Sequence, residues 1–134
     1  MLTRRALLLS ACAAAALPGP AAAYRTLTYT PTLWDSIKAE QAAVILNFRA
    51  RWSLTCQRKH ELMVAALLDN PAYARLTIVD VDWDTYGPSQ MTERLKVTRR
   101  STLLVLKAGA EVARLENQPY ARKVRALLDT ALAA

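Results

Sequence analysis

A chain of 134 residues, 53% of them hydrophobic and 22% charged, is long enough for one domain with its own core and too short for two. Its 18 lysines and arginines outnumber its 11 aspartates and glutamates, a net charge of +7; this favours acidic partners or surfaces, but without interleaved aromatic residues it does not point to nucleic acid. Three glycines in all leave no phosphate-cradling loop.

Residues 1–23 pass from a basic start through the apolar stretch Ala6 to Leu17, then Pro18-Gly19-Pro20, to Ala21-Ala22-Ala23. That is the grammar of a cleaved secretory signal, and the small residues Ala21 and Ala23 place the cut after Ala23. The expected organisation is a signal peptide, 1–23, and one mature domain, 24–134, located in the periplasm. Thr3-Arg4-Arg5-Ala6-Leu7-Leu8 resembles a twin-arginine signal, although adjacent arginines are also ordinary in Sec signals. Leu9-Ser10-Ala11-Cys12 resembles a lipobox, which would make Cys12 a lipidated N-terminus; the very short apolar core before it and the apolar run beyond it argue against that. The apolar stretch falls short of the roughly 20 residues a membrane-spanning helix needs, and no later segment reaches it, so no transmembrane span is expected in the mature chain. Of two cysteines, Cys12 and Cys56, the mature chain would keep only Cys56. A lone cysteine in an oxidising compartment is either buried and inert or present for its chemistry.

The mature part begins with a short strand, Leu27 to Thr30. Thr30-Pro31 reads as an N-cap followed by proline at the first helical position, opening a helix through about Gln41 with Leu33, Trp34 and Ile37 on one face. Ala43 to Phe48 is nearly continuously apolar, the pattern of a central strand covered on both sides. Leu54 to Asp69 places Cys56, His60, Met63, Val64, Leu67 and Leu68 at helical spacing, and Asn70-Pro71 ends that helix. Leu76 to Val81 is a β-branched strand, and Gln90 to Leu95 a short helix. Thr102 to Lys107 and Glu111 to Leu115 flank Ala108-Gly109-Ala110, the spacing of a hairpin. Tyr120, Val124, Leu127, Leu128 and Ala131 form the stripe of a last helix. The order β-α-β-α-β-α-β-β-α predicts an α/β fold, a central mixed sheet flanked by helices on both faces.

Two segments are more specific. Phe48-Arg49-Ala50-Arg51-Trp52-Ser53-Leu54-Thr55-Cys56, directly after the buried strand and opening a helix, resembles the active-site segment of the thioredoxin family, in which tryptophan precedes Cys-x-x-Cys. Lys96 to Val112 resembles that family's second signature, a cis-proline loop followed by a strand and hairpin. The likeness spans Leu27 to Leu132 and is closest to periplasmic members such as the C-terminal domain of the thiol:disulfide interchange protein. It implies a thioredoxin fold, and a chemistry in which a first cysteine attacks a disulfide and a second resolves the product. Carried over by position, the tryptophan is Trp52, the first cysteine is Ser53 and the second is Cys56. The family's buried acid falls on Asn47, and its cis-proline on Ser101.

A serine hydroxyl cannot replace a thiolate in disulfide exchange, and an amide cannot take up the proton a buried acid would. A cis bond before a non-proline residue costs about 2.5–4 kcal/mol, so Arg100-Ser101 is expected to be trans. Changes at three parts of one mechanism point to its abandonment, although Ser53 also suits a plain N-cap. Restoring Ser53→Cys alone is then expected to be insufficient, and the triple change with Asn47→Asp and Ser101→Pro to exceed the sum of its parts.

The expected function is that of a binding or monothiol partner of another exported protein, acidic or thiol-containing. Alternatives are a single-cysteine thiol reductase or peroxidase acting through Cys56, the latter loosely echoed by Ser53-Leu54-Thr55-Cys56, and a copper or zinc carrier. Cys56 and His60 lie one turn apart and could offer thiolate and imidazole to a metal, with Met63 or Met91 as soft ligands; a histidine packed in the core is the plainer reading. No cofactor is implied. Asp80, Asp82 and Asp84 alternate as a solvated strand edge would. Arg49, Arg51, Arg58, Lys59, Arg99 and Arg100 are expected to form a basic rim around Cys56.

Overall fold

A computed structural model describes residues 24–134. The expected leader, with Arg4, Arg5 and Cys12, lies outside the described residues. Among them no helix is long and apolar enough to cross a membrane.

The elements are β1 (Arg25–Thr28), α1 (Trp34–Ala39), β2 (Val44–Arg49), α2 (Leu54–Asp69), β3 (Thr77–Asp82), α3 (Trp83–Tyr86), α4 (Gln90–Arg94), β4 (Thr102–Lys107), β5 (Ala110–Glu116) and α5 (Ala121–Ala133). Short 3-10 turns at Pro31–Leu33 and Pro71–Arg75 precede α1 and β3. The five strands form one sheet in the order β1-β3-β2-β4-β5. β1 and β2 each run parallel to β3; β4 is antiparallel to β2 and to β5.

β2 occupies the centre because its residues are apolar on both faces. Alternation along the strand sends Ile45 into a core with Met63, Leu67, Leu103, Val124 and Leu128, beneath α2 and α5. It sends Val44, Leu46 and Phe48 into a second core with Ile37, Val79, Val81 and Met91, beneath α1 and α4. Each large aliphatic side chain so enclosed contributes about 1.5–3 kcal/mol. Leu68, expected on the stripe of α2, is instead 70% exposed; its neighbour Leu67 takes the inward position.

Three local expectations are corrected. Thr30 is extended but makes no side-chain cap; its hydroxyl meets that of Thr32 at 3.1 Å, and the chain enters α1 through the 3-10 turn. Asp82 is no mere solvated edge: its carboxylate accepts from the backbone N–H of Thr85 at 3.2 Å and caps α3, an element too short to show periodicity. Asp80 likewise takes part in the side-chain network described below. The β4–β5 hairpin turns through Ala108 (φ 52) and Gly109 (φ 81), the paired positive φ of the tight turns that match strand twist.

Candidate functional site

β2 ends at Arg49, and the loop Ala50-Arg51-Trp52-Ser53 carries the chain into α2. Ser53 caps that helix, with Oγ accepting the backbone N–H of Cys56 at 3.2 Å. The same Oγ accepts the Nε–H of Arg100 at 3.1 Å, and the Arg100 guanidinium lies 4.8 Å over the Trp52 ring. The Trp52 indole N–H donates to Asp84 at 3.0 Å. Trp52 and Leu54 remain 62% and 81% exposed, so an aromatic and an aliphatic side chain flank the serine at the surface.

Cys56 is 1% exposed. Its Sγ lies 2.6 Å from Ser101 Oγ and accepts the Ala50 backbone N–H at 3.4 Å. Burial pushes the thiol up, but the hydrogen bonds from Ser101, Ala50 and Ser53 and the charge of Lys59 together hold it below its ordinary value. Ser101 is fully buried with φ 63, the left-handed region. Its backbone N–H donates to Phe48 at 2.8 Å and its carbonyl accepts from Asn117 at 2.9 Å. Among the described residues every peptide bond is trans, Arg100-Ser101 included.

On β2, Asn47 is 1% exposed and stands opposite Asp80 in the β2–β3 register. Its Nδ2 donates to Asp80 Oδ1 at 3.1 Å, while its Oδ1 has no partner among the described residues. Arg49 lies 3.7 Å from the other oxygen of Asp80 and 3.3 Å from His60 Nδ1. Burial and then the Arg49 charge hold His60 below the usual imidazole range, against Asp80 and Glu61. The neutral ring therefore accepts at Nδ1, as the arginine requires.

Cys56 and His60 thus face different partners, Ser101 and Arg49. Met63 is a core residue beneath α2, and Met91 belongs to the opposite core, so it is no neighbour of Cys56. Among the described residues no group of three or more His, Cys, Asp or Glu side chains could hold a metal ion.

The expected basic rim is corrected in part. Arg100 stands at the mouth, and Arg99 lines with it an open cleft of about 380 Å³ together with Trp83, Thr98 and Asn117. Arg51 is exposed. Arg58 is exposed and pairs with Glu61 at 3.7 Å, while Arg49 turns to Asp80 and His60. Lys59 is not on the rim: it is fully buried, its Nζ has no hydrogen-bond partner among the described residues, and burial pushes it down to about 7. Its spacing from Cys56 and Met63, three and four residues away on the same buried stripe, is the sequence signal of that burial.

No protein-family model matches the chain, and no curated protein matches its sequence. Solved structures do. Trxlp from Edwardsiella tarda superposes with a TM-score of 0.64 at 25% identity, over 78% of this chain and 95% of that one. The thioredoxin of Malassezia sympodialis, Mala s 13, gives 0.69 at 16% identity, over 82% and 92%. That of Plasmodium falciparum gives 0.63 at 24%, over 80% and 96%. The chain has the thioredoxin fold.

Proposed function

We propose that this is an exported, periplasmic thioredoxin-fold protein that has lost dithiol exchange and serves as a binding or monothiol partner of another exported protein. The observation that carries this reading is the state of Ser53. Where the resemblance calls for an attacking thiolate stands a hydroxyl already engaged by Cys56 N–H and Arg100 Nε, which no disulfide substrate could use. Cys56, which would resolve, is sealed behind it.

What is left at the surface suits recognition. Trp52 and Leu54 offer apolar area, Arg100 is stacked on the indole, and Arg51 and Arg99 lie exposed nearby. Aromatic and arginine side chains are the usual anchors of an interface, and this combination suits an acidic segment with an apolar anchor. The experiment has two arms. The protein should not reduce a protein disulfide in the presence of a chemical electron donor, and activity near that of an ordinary thioredoxin would overturn the loss of dithiol chemistry. Partners retained from a periplasmic extract should be lost with Trp52→Ala and Leu54→Ala; undiminished retention would remove the binding surface from consideration.

A further inference from the structure

The parallel strands β1, β3 and β2 end together, and their last residues on the α2 side of the sheet are polar. Residues paired across a ladder share a face. Thr28 is paired with Asp80, and Asn47 and Arg49 with Asp80 and Asp82, so all five lie on the side where Ile45 and Ile78 enter the core beneath α2 and α5. Thr28, Asp80, Asp82 and Arg49, with Arg51 from the loop after β2, line one cleft of about 280 Å³. The crevice outside the carboxyl ends of parallel strands is where open α/β sheets hold their ligands. This cleft differs in kind from that of Arg99 and Arg100, whose lining contains no carboxylate.

Two cations and two anions meet here without closing on one another. Arg49 Nη1 lies 3.7 Å from Asp80 Oδ2, beyond hydrogen-bond reach, and 3.3 Å from His60 Nδ1. Both contacts use Nη1, which leaves Nε and Nη2 for another acceptor. Asp80 is oriented by the buried amide of Asn47, which donates to Oδ1 at 3.1 Å, so Oδ2 is the oxygen left over. Asp82 spends Oδ2 on the backbone N–H and hydroxyl of Thr85, and Oδ1 is left over. Neither Asp82 nor Arg51 forms an ion pair among the described residues. The four charges cancel, and no apolar side chain lines the cleft. A simple anion would meet two carboxylates there, and a metal ion two guanidinium groups. What both pairs can satisfy together is a molecule carrying both signs close to one another.

We propose that this cleft binds a small zwitterion, a free α-amino acid with a small side chain. Its carboxylate lies against the guanidinium of Arg51 and the Nε–Nη2 edge of Arg49, a planar fork that matches two carboxylate oxygens. Its ammonium, with three donors, reaches Asp80 Oδ2 and Asp82 Oδ1, and the Thr28 hydroxyl stands at the rim. The cleft volume falls just under the roughly 300–1,000 Å³ of sites for drug-sized ligands, which sets the small size of the occupant.

The test titrates l-alanine into the full chain near neutral pH at constant ionic strength, following by NMR the backbone amides of Thr28, Arg51, Asp80 and Asp82. These amides should shift saturably. Two single-charge analogues separate a free amino acid from the end of a chain: l-alaninamide models an amino terminus, and N-acetyl-l-alanine a carboxyl terminus. Each should bind about tenfold or more weakly, because each loses hydrogen bonds between charged groups. Arg51→Gln, at an exposed position, and Asp82→Asn, which keeps a good N-cap for α3, should weaken l-alanine binding to a similar extent; melting temperatures verify that both fold. No saturable shift with l-alanine, or undiminished affinity in folded Arg51→Gln, would overturn the site. Equal affinity for either analogue would overturn the zwitterion and assign the cleft to a single charge. Neither Trp52 nor Leu54 lines this cleft, so amino-acid binding and partner retention succeed or fail separately.

Discussion

A lysine with no exposed surface carries a penalty that depends on pH. Lys59 is pushed from 10.5 in the open chain to about 7 in the fold, so between those values the unfolded chain binds a proton the native one does not. Stability is therefore present above about 10.5 and lost as pH falls through about 7, below which the penalty is constant. Unfolding free energies obtained from urea melts between pH 6 and 10 should rise for the wild type by an amount on the order of a few kcal/mol, with a much shallower rise in Lys59→Met. A parallel rise in both would assign the slope to other groups. Ser53 admits a second expectation: Ser53→Ala removes the cap of α2 and the acceptor of Arg100, costing about 0.5–2 kcal/mol in a thermal or urea melt. Of these two residues the sequence disclosed only the serine. Its role follows from its place before a helix, whereas the burial of Lys59 follows from which face of that helix meets β2, which only helical period could have signalled. Asp80 was obscured for a related reason, since its partners Asn47 and Arg49 are more than thirty residues away in the chain.

Among the elements, those with long periodic patterns were legible: β2 from its unbroken apolar run, α2 and α5 from their stripes, the hairpin from Ala108-Gly109-Ala110. α3 was not, because four residues cannot display a period and its start depends on the Asp82 cap. The site loop lay between these cases. Its position could be read from Trp52 to Cys56, but not the left-handed turn at Ser101, which is held by Phe48 and Asn117 from other elements. The hairpin offers a test of the same geometry in isolation. Ala108 adopts φ 52 on the surface, where a side chain is disfavoured by roughly 1–2 kcal/mol. Ala108→Gly relieves this but loosens the unfolded chain, so a net gain of about 0.5–1 kcal/mol is expected; a loss in the urea midpoint would show that the turn does not hold that φ in solution.

At the scale of the molecule, the sequence and the fold disagree over what would restore a dithiol enzyme. From sequence alone, Ser53→Cys, Asn47→Asp and Ser101→Pro together are expected to outperform their sum. The fold bears differently on each of the three. Ser53→Cys recreates Cys-Leu-Thr-Cys at a helix start; Asn47→Asp sets a carboxylate on the side of β2 that faces α2, against the Asp80 carboxylate that Asn47 Nδ2 meets at 3.1 Å, so one of the two acids holds a proton and the pair supplies the proton acceptor. The third is different. Ser101 donates its N–H to Phe48 and holds φ 63, whereas proline has no N–H and fixes φ near −65°. Proline there also removes the hydroxyl beside Cys56. The loop is built around serine, so the double variant should be the more active and the triple should melt several degrees lower, a loss of one to two kcal/mol being worth about 4–8 °C per kcal/mol in a domain of this size. Protein-disulfide reduction and melting temperature, measured side by side for the single, double and triple variants, decide the matter. Near-full activity from Ser53→Cys alone would show that position 47 carries no proton in the reaction. A triple variant both more stable and more active than the double would show that the loop refolds around proline at little cost, and that the left-handed serine is a replaceable detail rather than the support on which the buried thiol rests.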